Sequence, residues 1–218
     1  MSLDPGIYFG LPEEAYHADD ALSASRLKLL RQSPSDFWWQ SDMNPDRPEE
    51  TESKFMAFGS ALHKMVLEGK EAFDDTYIVA PERSDYPELL VTTDDIKGAL
   101  RGLDLKLSGK KADLIDRLSE ADPSALIWDE IWQEHLAKCE AERKTSITFD
   151  WYAQIAKSAA AILSNPHLKK AFAGGEPEVT VVWMDEGIRF KCRFDYLKVR
   201  AVVDLKSFSN SLRMPIGS

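Results

Sequence analysis

Two periodicities divide the chain. Before Gly175, apolar residues recur mostly at the three- and four-residue spacing of helices; over Glu178–Lys206 they alternate with charged residues at the spacing of strands. Leu27, Leu29 and Leu30 predict a helix capped by Ser23 or Ser25 and ended at Ser33-Pro34, and a short helix follows with Phe37, Trp38 and Trp39. Tyr8–Tyr16 reads as extended, and Met43–Ser53 as a Pro- and acid-rich loop. Phe55, Phe58, Leu62, Met65 and Val66 form one stripe of a helix over Lys54–Gly69, with Gly69 at its C-terminal position. Tyr77–Ala80 is an apolar run in a strand-and-loop segment, Ala72–Pro87. Next come a helix capped by Thr93 (Ile96, Ala99, Leu100, Leu103), an extended link Leu105–Gly109 and a second helix over Lys110–Leu118. Asp122-Pro123 reads as the start of a long helix to about Arg143, with Trp128, Ile131, Trp132 and Leu136 on one face and His135 beside it as a structural residue. Thr148–Leu163 is another helix, stopped by Asn165-Pro166, and a short one ends at Gly174-Gly175.

The last stretch is the most informative. Glu178–Met184 and Ile188–Phe194 read as strands joined by Asp185-Glu186-Gly187, and Ala201–Lys206 as a third. Successive side chains on a strand point to opposite faces, so Arg189, Lys191, Arg193 and Asp195 share one face with Phe190, Cys192 and Phe194 behind them. Asp204 and Lys206 likewise project together, with Ala201, Val203 and Leu205 inward. Two carboxylates and an ammonium meet on one surface ringed by cations. One reading is a metal site for phosphodiester hydrolysis, because hard divalent cations take carboxylate and phosphate oxygens and a nearby lysine can orient the attacking water. The other is an amphipathic hairpin whose polar face is only solvated.

Composition sets bounds without choosing between them. The 218 residues, 44% hydrophobic and 29% charged, suit one well-cored domain with a small appendage. The formal charge of −10 argues against nucleic-acid binding by the whole surface. It leaves room for a local cleft: Arg189–Arg200 carries five cations and one carboxylate. Cys139 and Cys192 are far apart in sequence and read as free thiols of a reducing cytoplasm. No apolar run approaches the ~20 residues of a membrane span, and no signal peptide opens the chain.

Asp195 followed by Asp204-Leu205-Lys206-Ser207 resembles the PD-(D/E)XK nuclease signature. FKCRFDYL ahead of VVDLKS, YHADDALSASRLKLLRQSP near the start and FGSALH in the helix over Lys54–Gly69 are similar to the RecE-type exonucleases, relatives of the RecB and lambda exonuclease nucleases. The resemblance implies an α/β (α+β) core of the restriction-endonuclease type, a mixed sheet flanked by helices. It makes His63 the third metal ligand beside Asp195 and Asp204, with Lys206 as the catalytic lysine. Glu178 falls where related nucleases carry an acidic residue, either reaching the metal or holding a basic neighbour. The implied cofactor is Mg²⁺, with Mn²⁺ able to substitute. The implied reaction is ATP-independent 5′-to-3′ resection of linear duplex DNA from its ends, in a bacterial or phage-infected cell, with Arg189, Lys191 and Arg193 on the DNA backbone. The exposed strand would pass to a single-strand annealing protein, and the family often forms homo-oligomeric rings.

Residues 90–121 resemble a SAP module inserted between core segments 1–89 and 122–218. Lys97, Arg101, Lys106, Lys110 and Lys111 would then contact duplex DNA against the single acid Asp104 in that span. The bland alternative is a helical hairpin that only packs. A non-catalytic DNA-binding protein on a degenerate nuclease fold is the rival functional reading. A Cas4-like nuclease is excluded, since two cysteines cannot supply the four thiolates of an iron–sulfur cluster. Related nucleases continue beyond the lysine with a helix and further strands, so the twelve residues after Lys206 (218 − 206) predict a C-terminally shortened, weakly active chain.

Overall fold

The computed structural model describes residues 2–41, 43–48 and 54–206. Ser207, residues 49–53, the Phe55 side chain and the closing segment 207–218 lie outside them. In chain order the elements are β1 (Gly6–Tyr8), α1 (Glu13–Ala18), α2 (Ala24–Gln32), α3 (Pro34–Gln40), α4 (Lys54–His63), α5 (Lys70–Thr76), β2 (Tyr77–Val79), α6 (Thr93–Gly102), α7 (Lys111–Ala121), α8 (Trp128–Glu142), β3 (Thr145–Ile147), α9 (Phe149–Ser164), α10 (Pro166–Ala171), β4 (Glu176–Asp185), β5 (Ile188–Lys198) and β6 (Ala201–Val203). Two compact units result: Met1–Phe73 with Ile155–Ser218, and Asp74–Gln154. No helix among the described residues is long and apolar enough to cross a membrane.

The first unit is built on an antiparallel sheet of order β1-β4-β5-β6. The β4–β5 hairpin closes through Glu186 (φ 48°) and Gly187 (φ 81°). Two successive positive φ values match the right-handed strand twist, which is why a glycine stands there. The register sets Thr180 opposite Arg193 and Val182 opposite Lys191, so the even positions of β4 and the odd positions of β5 share a face. The Ser23 hydroxyl caps α2 by accepting from the Arg26 amide. Ser33 caps α3 through the Asp36 amide, and Pro34 starts that helix where a missing N–H costs nothing.

Several sequence expectations are corrected. The segment read as extended through Tyr16 instead forms β1 and then α1, which starts after Pro12 with two glutamates in its first turn. The stripe helix over Lys54–Gly69 is α4 continued by a π turn, Lys64–Glu68. Helix α5 occupies the start of the segment read as strand and loop. Strand β6 stops at Val203, so Asp204, Leu205 and Lys206 follow it as irregular chain.

In the second unit, β2 pairs with β3 in parallel. Helices α6 and α7 close on a core of Ile96, Leu100, Leu114, Leu118 and Ile127. Thr92, rather than Thr93, caps α6 in a reciprocal box with Asp95. Leu90 bridges Ile127, and this pairing delays α8 to Trp128 instead of Asp122. The helix–extension–helix geometry expected of residues 90–121 is present, within the larger unit Asp74–Gln154. His135 is buried and bonds the Ser146 hydroxyl at 2.7 Å.

Candidate metal centre

Three groups converge on the shared face of the sheet. One ligand atom each from His63, Glu178 and Asp195 lies within 4.8 Å of the others, the one such group among the described residues. His63 comes from the C-terminal end of α4, where the helix passes into the π turn. Such bulges are local departures from α geometry that recur at functional sites. Its Nε2 lies 2.7 Å from the Leu205 carbonyl, and a carbonyl can only accept, so Nε2 carries the proton. Nδ1 is thereby left towards Asp195 Oδ2, 3.8 Å away. A backbone carbonyl that fixes the tautomer of a ligating imidazole is a familiar support for metal binding.

Asp195 and Glu178 meet across the hairpin. The register pairs Pro177 with Tyr196 and Val179 with Phe194, which brackets Glu178 and Asp195 between the same two pairs, with their ligand atoms within 4.8 Å. Glu178 has φ 51°, a left-handed conformation in mid-strand that costs a non-glycine residue of order 1–3 kcal/mol. Like charges brought together across a sheet also repel. Burial pushes the Glu178 carboxyl up to about 7; Arg193, with Nε 3.9 Å from Oε2, pulls the other way, and Asp195 adds to the rise. Strain and repulsion at one spot are what a bound cation would offset.

Leu205 closes the site by its backbone. Its N–H donates to Asp195 Oδ2 at 2.6 Å while its carbonyl holds His63, and its side chain is buried. This clamp was not read from the sequence, because a leucine between two charged residues signals only strand alternation. Asp204 and Lys206 flank it on the exposed side. Asp204 does not join the His63–Glu178–Asp195 group; its carboxylate accepts from Lys206 Nζ at 2.8 Å. That hydrogen bond pushes the Lys206 ammonium up, so it acts as a cation and donor rather than a base.

The three strand cations lie on the expected face but are engaged there. Lys191, 4% exposed, donates to the Tyr16 and Asp19 carbonyls at 2.5 and 2.6 Å. Arg193 donates to Thr180 Oγ1 and the Leu11 carbonyl, with its guanidinium 4.6 Å from the Tyr16 ring centroid. Arg189 pairs with Asp19 and Asp20 and donates to the Leu3 carbonyl. Burial raises the Asp19 carboxyl, but the Leu3 and Ala21 amides and Arg189 outweigh it and hold it low. Together these cations fasten the segment before Ala21 across the sheet, and contact with a phosphodiester would require them to leave those partners.

In the second unit Arg101, Lys106 and Lys110 are exposed, and Lys97 is half-buried. Lys111 is tied to Asp129 at 2.6 Å and to the Val91 carbonyl.

The donor set suits a divalent cation: two carboxylates favour hard ions, and an imidazole is shared by several transition metals. The mixed α and β fold fits the core of the PD-(D/E)XK nuclease superfamily, and a nuclease-type function goes with it. Residues 23–213 match the family described as a PDDEXK-like domain of unknown function (DUF3799), and the chain belongs to that family. No curated protein and no solved structure matches it.

Proposed function

We propose that this chain is a divalent-metal-dependent, ATP-independent exonuclease of the RecE type that resects linear duplex DNA from its ends, 5′ to 3′, in the cytoplasm of a bacterial or phage-infected cell. The observation that carries the reading is the convergence of His63, Glu178 and Asp195 beside the Asp204-Leu205-Lys206 segment. When bound, Mg²⁺ or Mn²⁺ supplies a water of lowered pKa and a counter-charge for the phosphate. His63 Nδ1 and the Glu178 and Asp195 carboxylates would hold it. Lys206 remains protonated beside Asp204 and orients water or the scissile phosphate by donation. Leu205 keeps both ligand side chains in place from one peptide segment. Passage of the exposed 3′ strand to an annealing partner, and assembly as a ring, belong to this reading as consequences of family likeness.

The test is digestion of end-labelled linear duplex against a covalently closed circle, with Mg²⁺ or EDTA. The expected result is mononucleotide release from the linear form alone, lost with EDTA and in Asp195→Ala. Attack on the closed circle would turn the reading to an endonuclease.

One observation favours a second reading, a non-catalytic DNA-binding protein using the SAP-like hairpin. Asp204 pairs with Lys206 rather than joining the other ligands, as a degenerate centre would. Duplex binding with no hydrolysis in either metal would select it.

A further inference from the structure

Phe37, Trp38 and Trp39 occupy three consecutive positions of the seven-residue helix α3. Each step turns about 100° round a helix axis, so three adjacent rings sweep an arc of about 200°. One neighbouring helix cannot cover that arc. Phe37 turns to α2 and lines a cleft of about 150 Å³ with Arg26, Leu29 and Gln40. The two indoles are left 48% and 51% exposed. Large aromatic surface kept in water on a short, capped helix marks a binding face.

The charge beside it says what binds. The chain carries −10 overall, yet residues 21–40 hold three cations, Arg26, Lys28 and Arg31, and one carboxylate, Asp36. Lys28 and Arg31 are exposed, and neither has an ion-pair partner among the described residues. Helix α2 has no acidic residue at all. Flat apolar rings on α3 and unpaired cations on the adjoining α2 match a polyanion with exposed π faces. A duplex keeps its base faces stacked inside, whereas a single strand offers them to aromatic side chains and its phosphates to lysine and arginine.

We propose that the α2–α3 hairpin is a single-strand nucleic-acid platform, with bases stacking on Trp38 and Trp39 and phosphates held by Lys28 and Arg31. The inference rests on the nuclease reading only for where the strand comes from: an enzyme that removes one strand of a duplex leaves the other unpaired. Binding itself needs no metal and no hydrolysis.

The experiment is fluorescence anisotropy of a labelled oligothymidylate with the full chain in EDTA, beside a duplex of equal length. The expected result is tighter binding of the single strand. Each of Trp38→Ala and Trp39→Ala should weaken it by at least about fivefold, the lower end for a stacked base. Trp38→Phe should retain most of the affinity, since a phenyl ring still stacks, and separates lost stacking from a lost fold. Lys28→Glu with Arg31→Glu should lower affinity and flatten its salt dependence. Unchanged affinity in the tryptophan variants with unchanged melting temperature overturns the platform. So does a face found buried between two copies by sedimentation, with no oligothymidylate bound. Single-strand binding by a chain that hydrolyses nothing in Mg²⁺ upholds the platform and removes the nuclease reading.

Discussion

Glu178 lies near Asp195 where β4 and β5 pair, half-buried and in a left-handed backbone conformation, and burial pushes its carboxyl up to about 7 from an ordinary 4.5. Between those values the folded chain keeps a proton that the unfolded chain has lost. Unfolding releases that proton, so metal-free stability falls as pH rises from about 4.5 through about 7, by about 3 kcal/mol at most. Glu178→Gln should remove this slope in a pH series of denaturant melts taken in EDTA; a slope that survives assigns it to another group. Metal binding requires the ionised carboxylate, so affinity should climb through the same window. Affinity also separates the two ligand sets. His63→Ala and Asp195→Ala should each weaken Mn²⁺ binding by about tenfold or more, while Asp204→Ala, whose carboxylate already holds Lys206, should weaken it less. Titration followed by the Mn²⁺ resonance signal decides this, and equal losses in all three would draw Asp204 into the centre. His63, Asp195 and Glu178 were all legible as chemistry in the sequence. Which carboxylate joins the other two depends on the strand register and on β6 ending at Val203, and alternation alone fixes neither.

Elements with long periodic patterns were readable, and short ones were not. Helices α2, α6, α7 and α9 follow their apolar stripes closely, and Ser23 caps α2 as read, while the α6 cap falls one residue earlier. Strand β3 is three residues between two helices, too short for any period to register. Asp122-Pro123 has the look of a helix start, but Asp122 instead turns back on Ser124 and Ile127 is drawn into the core beside Leu90. Helix α1 did leave a signal, Pro12 followed by Glu13 and Glu14, which suits a helix N-terminus. The α6–α7 hairpin makes its own prediction. Lys111 is bound to Asp129 and the Val91 carbonyl, so Lys111→Glu should lower the melting temperature. Lys106 and Lys110 are exposed, so Lys106→Glu with Lys110→Glu should leave stability alone. If the hairpin binds duplex DNA, the same pair should reduce the salt slope of binding by about two units. An unchanged slope measured by anisotropy favours a hairpin that only packs.

At the scale of the molecule, the ligands and the hairpin belong to different compact units. His63, Glu178, Asp195 and the Leu205 backbone all fall in Met1–Phe73 with Ile155–Ser218, whereas α6 and α7 close their own core within Asp74–Gln154. A ligand that binds only folded chain stabilises what it binds, by about 2.7 kcal/mol at a hundred times its dissociation constant. For a domain of roughly this size each kcal/mol moves the melting temperature by about 2–4 °C. Saturating Mg²⁺ or Mn²⁺ should therefore raise the melting of the unit that holds the centre by several degrees. The helical unit around Ile96 and Leu118 contributes no ligand and should not respond. Calorimetry with and without metal should show two transitions of which one moves, and Asp195→Ala should abolish the movement without shifting the other. A single transition that moves as a whole would mean that the two units melt together. No movement at saturating metal would mean that the three ligands do not hold a cation, and the proposed chemistry would fall with them.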